Sequence, residues 1–187
     1  MKTKIIVMVA GLLANIAFST VIFAQGQLDP IRLNSMSVQA GVGSGSHYFG
    51  NGLGFGPAIK GSFEKGMFDM GPGVITLGGE FAMSFFSREY GNGGRESWTN
   101  FFFAGRGAFH YGWDVEGLDT YAGIPVGIGF SGYSADDQPG SHGHQGVFPY
   151  IGLFLGANYF FNKNWGINGE LGYNATVCNI GVIYKIH

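Results

Sequence analysis

Five charged residues stand apart in a chain where only 12% of residues are Asp, Glu, Lys or Arg. Lys60, Glu80, Arg106, Glu170 and Lys185 each sit among Gly, Ala, Ser and Asn inside segments that otherwise alternate with apolar residues. An isolated charge cannot remain inside a narrow apolar or weakly polar space, so opposite signs on neighbouring segments are expected to pair. A Lys60–Glu80–Arg106 cluster and a Glu170–Lys185 pair follow. Their simplest chemistry is mutual neutralisation that seals an interior; the alternative is a charged constriction in a narrow channel. Other groups promise less. His142 and His144, with Asp136 and Asp137 upstream, have the right types for a metal, but a glycine-rich loop does not preorganise ligands, and no metal site is assigned. Ser141-His142 and Ser46-His47 are sequence neighbours without a placed acid, so no catalytic residue is assigned and no cofactor is implied. His110 reads as a satisfied interior histidine beside Tyr121. Cys178 faces the apolar side and reads as inert. Asn174-Ala175-Thr176 is a chance match to a glycosylation pattern.

The elements that must hold these charges are strands. At the end of the chain, residues 165–174 place Trp165, Ile167, Gly169, Leu171 and Tyr173 on one face, and Gly166, Asn168, Glu170, Gly172 and Asn174 on the other. Residues 177–186 place Cys178, Ile180, Val182, Tyr184 and Ile186 against Asn179, Gly181, Ile183 and Lys185. A period of two is the signature of a strand. A two-residue turn at Ala175-Thr176 would set Tyr173 opposite Cys178 and Ile167 opposite Tyr184, with both apolar faces on one side. The same alternation recurs over residues 35–44, 53–63, 74–87, 98–113, 118–132 and 147–161, giving about eight strands. Pro57 costs one strand a ladder bond and predicts a bulge there. Residues 45–52, 88–97 and 131–146 form polar, glycine-rich loops at one end. Residues 114–117 and 162–164 are tight turns at the other, and 64–72 is an intermediate turn.

Composition narrows the class. The 35 glycines stand beside 18 Phe and 9 Tyr in 187 residues, which excludes collagen-like and disordered chains. A formal charge of −2 gives no footprint for nucleic acid, and none is expected as a partner. One cysteine excludes an intramolecular disulfide framework. Lys2 and Lys4, the apolar run from Ile5 and Ile22-Phe23-Ala24 read as a signal peptide over residues 1–24, leaving residues 25–187 as one domain.

Two closed barrels fit the alternation. A soluble ligand-binding barrel turns its apolar face inward, whereas a membrane barrel turns it outward. The polar face carries too few charges for a water-exposed exterior. Its bulky members, Phe102, Tyr121, Tyr150 and Phe154, stand among glycines, as packing in a narrow interior requires. Phe63, Tyr111, Trp113, Tyr159, Phe161, Trp165 and Tyr184 gather toward the tight-turn end, where an interfacial aromatic girdle belongs. The membrane reading prevails.

With those features together, residues 35–187 resemble the small OmpA/OmpX-type outer-membrane β-barrels. Asn179, Gly181, Tyr184 and Ile186 are similar, at their spacing, to that family's C-terminal assembly signal, although His187 follows where an aromatic residue usually ends the chain. The resemblance implies an all-β, eight-stranded antiparallel up-and-down transmembrane barrel in a bacterial outer membrane. Its partners would be outer-membrane lipid and, during insertion, the barrel-assembly machinery. A structural role, or surface interaction with an extracellular partner through the loops, is the leading expectation. A narrow channel for ions or small solutes is the alternative. Some small barrels are similar to lipid-modifying enzymes, but nothing in this chain supplies their chemistry.

Overall fold

The computed structural model describes residues 31–49, 52–89, 94–135, 146–173 and 175–186. The expected signal peptide and the histidines and aspartates of the 136–145 loop lie outside them. Nine strand segments run β1 (Met36–Phe49), β2 (Gly52–Asp69), β3 (Gly73–Glu89), β4 (Arg95–Gly112), β5 (Leu118–Ala135), β6 (Gly146–Ile151), β7 (Leu153–Phe160), β8 (Trp165–Tyr173) and β9 (Cys178–Ile186). Each pairs antiparallel with its chain neighbour, except that β6 and β7 both pair with β5. The sheet closes because β9 returns to pair with β1, from Met36 opposite Ile186 to Ser44 opposite Cys178.

Segments β6 and β7 are one strand of an eight-stranded barrel. Both pair with β5 in one register, Val126 opposite Ile151 and Gly123 opposite Phe154. The interruption falls where Gly152 meets Pro125. Gly152 N–H donates to the Pro125 carbonyl at 3.1 Å, but proline has no N–H to return, and the ladder loses one bond without shifting. Pro57 does not produce the expected bulge. It pairs in register with Ser44, and its side chain points outward. The shift in β2 instead lies between Gly66 and Phe68, beyond the residues assigned to that strand from sequence.

The faces are inverted relative to a soluble protein. Outward Val42, Phe55, Ile151, Leu153 and Ile180 are each more than 60% exposed, whereas inward Lys60, Glu80, Arg106, Asn158 and Glu170 are buried. A continuous apolar exterior of this kind is stable only against hydrocarbon. The turns between β2 and β3, β4 and β5, and β7 and β8 lie at the end where β1 starts and β9 finishes. The other end carries the remaining loops. Strands β2 to β5 have 17 or 18 residues, and β8 and β9 have nine, so the wall is tall on one side and low on the other.

The low side corrects the sequence register. Leu171 lies opposite Cys178 and Trp165 opposite Tyr184, two positions from the expected pairing. A shift of two preserves which face is inward, so the apolar assignment stands while the turn lengthens. Ala175 and Thr176 do not form a tight surface turn; both are buried. The Ala175 N–H donates to the Tyr150 hydroxyl at 2.9 Å, and the connection folds into the barrel mouth. Oxidative cross-linking tests this register. Leu171→Cys is expected to form a disulfide with native Cys178, and Tyr173→Cys is not; the reverse would restore the shorter turn.

Candidate functional site

The interior charges converge on Arg106, which β4 projects inward at mid-barrel. Its Nε lies 2.5 Å from Glu64 Oε1, Nη1 lies 3.1 Å from Glu80 Oε2, and Nη2 lies 3.1 Å from Glu170 Oε2. One planar guanidinium thus serves carboxylates from β2, β3 and β8. Only a rigid fork of donors can do that, because an ammonium is a point charge. Lys60 adds a second cation, 3.0 Å from Glu80 Oε2 and 2.6 Å from Glu170 Oε1. The Phe154 ring backs both, 3.9 Å from the Arg106 guanidinium carbon and 5.4 Å from Lys60 Nζ, which adds cation–π attraction in a dry setting.

Hydroxyls and amides complete the carboxylates. Tyr150 donates to Glu80 Oε1 at 2.8 Å, and Tyr121 donates to Glu170 Oε2 at 3.1 Å. Thr76 donates to Glu64. His110 extends the network toward the tight-turn end, with Nε2 2.9 Å from Glu64 Oε2 and Nδ1 2.9 Å from Asp119 Oδ2. An ionised carboxylate only accepts, so the ring that satisfies both is the doubly protonated imidazolium. Tyr121 stacks on that ring at 4.9 Å. Asn158 donates to Asp119 at 2.8 Å, and Asn168 donates to the Tyr121 hydroxyl at 2.7 Å and to Asn158 Oδ1 at 2.8 Å.

Lys60, Glu80 and Arg106 meet in one cluster, and Glu170 joins them. The expected Glu170–Lys185 pair does not form. Glu170 lies opposite Asn179 on β9, six positions from Lys185, and that separation is too great for a side-chain contact. Lys185 Nζ instead lies 5.0 Å from the Phe160 ring centroid at the tight-turn end. Asn179 and Gly181 face inward on β9, while Tyr184 and Ile186 face outward, with the Tyr184 ring 4.8 Å from that of Trp165.

Sequence reasoning missed Glu64 and Asp119. The sequence puts Glu64 in the 64–72 turn, although continuing the parity of Lys60 and Ser62 by one step turns it inward. Asp119, the second residue of β5, lies opposite Gly112, and nothing local marks it as the partner of His110. The described residues hold no cluster of metal-ligating side chains.

Apolar layers close the charged middle on both sides. Toward the loop end, Ala82, Phe102, Tyr150 and Ala175 pack together. Toward the tight-turn end, Ile31 packs on Phe160 and Ile183.

Arg106→Ala is expected to destabilise the barrel by about 3–5 kcal/mol, because it strands buried carboxylates. Arg106→Lys should rescue only part of that loss, since one ammonium cannot reach three carboxylates; thermal unfolding in detergent reads both. His110→Gln should also destabilise, and adding Glu64→Gln should recover part of the loss, a non-additivity that a double-mutant cycle measures.

No protein-family model matches the chain, and no curated protein does. Solved structures do match in fold. The attachment invasion locus protein Ail of Yersinia pestis, in complex with the heparin analogue sucrose octasulfate, superposes with a TM-score of 0.51 at 12% identity, covering 83% of this chain and 100% of that one. The outer membrane protein OprG of Pseudomonas aeruginosa gives a TM-score of 0.51 at 13% identity, covering 86% and 100%. At such identities the likeness is one of fold, and it agrees with the closure and the inverted faces described above. The chain has the fold of the small OmpA/OmpX-type outer-membrane β-barrels.

Proposed function

We propose that the protein is an integral outer-membrane barrel with a lumen closed by its own side chains, acting structurally or through the surface it presents at the loop end. The observation that supports this most is the filling of the interior. Arg106 and Lys60 hold three carboxylates across the barrel axis, and an apolar layer lies on each side of them. An eight-stranded barrel is just wide enough for its own side chains, and a neutralised, hydrogen-bonded core leaves an ion little to gain on entry. The low exposure of every interior charge also argues for a non-catalytic role, because no substrate reaches those groups.

Display at the loop end is supported by the asymmetry of the wall. The tall β2–β5 side carries its hairpins well past the low β8–β9 side. At its top, Tyr133 donates to Glu96 at 2.6 Å, and the rings of Trp98 and Tyr133 lie 5.4 Å apart. Hydrogen-bonded side chains and packed rings stiffen a protruding hairpin and make it a platform for a partner. During insertion, Asn179, Gly181, Tyr184 and Ile186 would be read by the assembly machinery, with β9 pairing last, onto β1.

Purified protein in planar bilayers is expected to give no steady open-channel current, and its folded form should migrate differently from heated protein on a gel. Sustained unitary currents in the wild type would replace the closed-lumen reading with that of a narrow channel.

A further inference from the structure

One buried charge stands outside the central network. Lys185 faces inward on β9 and is 7% exposed, yet it makes no ion pair among the described residues. The other buried cations each meet at least two carboxylates. Lys60 meets Glu80 and Glu170, Arg106 meets Glu64, Glu80 and Glu170, and His110 meets Glu64 and Asp119. Lys185 Nζ has the Phe160 ring, 5.0 Å from its centroid. A ring face restores only part of what an ammonium loses on leaving water, and lysine is almost never buried unpaired.

Its neighbours offer no acceptor. Ser37 stands opposite Lys185 on β1, and its buried Oγ has no hydrogen-bond partner, so the hydroxyl is not bonded to the ammonium. Asp119 attracts Lys185 from a distance, but its Oδ2 already meets His110 and Asn158. Arg32 acts in the opposite sense. It is exposed, lies close enough to repel Lys185, and adds a second positive charge at the same mouth. Two cations with no acid between them make a local field that draws anions.

Both backbones are fixed. The Lys185 N–H donates to the Asn164 carbonyl at 2.7 Å, and Asn164 Nδ2 donates to the Lys185 carbonyl at 2.8 Å. Those bonds tie the end of β9 to the turn before β8. The Arg32 N–H donates to Ser35 Oγ at 2.8 Å, and that hydroxyl donates to the Arg32 carbonyl at 2.7 Å. Ile31 is 1% exposed and packs on Phe160 and Ile183, which seats the turn at the barrel mouth. Only the two side-chain ends are left to close on a ligand.

The ligand class follows from the donors and from their level. A tetrahedral oxyanion presents several oxygens, enough for an ammonium and a guanidinium fork at once. Tyr184, the sequence neighbour of Lys185, faces outward with its ring 4.8 Å from that of Trp165. Tryptophan and tyrosine settle at the height of lipid headgroups, where phosphate groups lie.

We propose that Lys185 and Arg32 form a phosphate-binding site at the tight-turn mouth, for a phosphate free in solution or carried by a lipid headgroup.

Thermal unfolding of the whole barrel in an uncharged detergent tests this, at fixed ionic strength balanced with chloride. The probes are inorganic phosphate and, separately, mixed micelles containing phosphatidylglycerol. A ligand bound only by the folded state raises the midpoint. The wild-type midpoint should rise by several degrees with at least one probe. The rise should vanish in Lys185→Met, which keeps an unbranched stem against Phe160, and shrink in Arg32→Gln, a change at an exposed position. A rise with inorganic phosphate assigns the free anion, and a rise confined to phosphatidylglycerol assigns the headgroup. No rise with either probe would overturn the site, and so would an equal rise in Lys185→Met. An undiminished rise in Arg32→Gln would overturn the part given to Arg32. With no phosphate present, Lys185→Met should melt no lower than wild type, because it removes an unpaired charge. A clear fall would mean that the ammonium already has its partner inside the barrel, and would sink the proposal. None of these readouts depends on whether the wild-type barrel passes current, so the site and the closed-lumen reading fail separately.

Discussion

Hydrocarbon offers no hydrogen bonds, and that constraint underlies the whole chain. A sheet that faces lipid must pair every backbone N–H and C=O within itself, which forces the first strand to meet the last. Closure at eight strands fixes a lumen of side-chain width. A lumen that narrow must be filled, and its filling must be close to neutral, because no bulk water is present to screen a surplus. The Pro125–Gly152 interruption is instructive here. The ladder tolerates one absent donor since the register on either side is unchanged and the remaining bond holds the two strands together.

Neutrality then explains residues that look unrelated in sequence. Among the described residues the buried acids are Glu64, Glu80, Asp119 and Glu170, and the buried fixed cations are Lys60, Arg106 and Lys185. The balance closes only when His110 is counted as a cation, which is also what its two carboxylate neighbours require. His110 is therefore a third cation of the central network, in the place where Lys185, at the rim, cannot reach. A histidine suits that position because its two donors point in opposite directions and bridge Glu64 to Asp119, which neither a lysine nor an asparagine could do in the same space.

Much of this was legible from the alternation alone. Parity placed Lys60, Glu80, Arg106, Glu170, Phe102, Tyr121, Tyr150 and Phe154 inside, and it put the aromatic and branched residues outside. It survived even the wrong turn at Ala175-Thr176, since a two-residue slip leaves every side chain on its own face. Partner choice was not legible. Parity says which face a residue occupies but not its height along the barrel axis, and height depends on turn length and on the stagger between strands. That is why Glu170 was matched to Lys185, its companion in the hairpin, and not to Lys60 and Arg106 across the lumen. Glu64 was lost for a different reason. The glycines and charges after Phe63 resemble a turn, whereas β2 continues to Asp69 as a strand.

The interior also separates two ways of being polar. Charges gather at Arg106, where a guanidinium, two aromatic hydroxyls and a phenylalanine face can satisfy them without water. The neutral groups without a partner, on Ser37, Gln39, Asn168 and Asn179, lie on β1, β8 and β9. What remains free to vary is the loop end, where the strands rise out of lipid and the backbone meets water again.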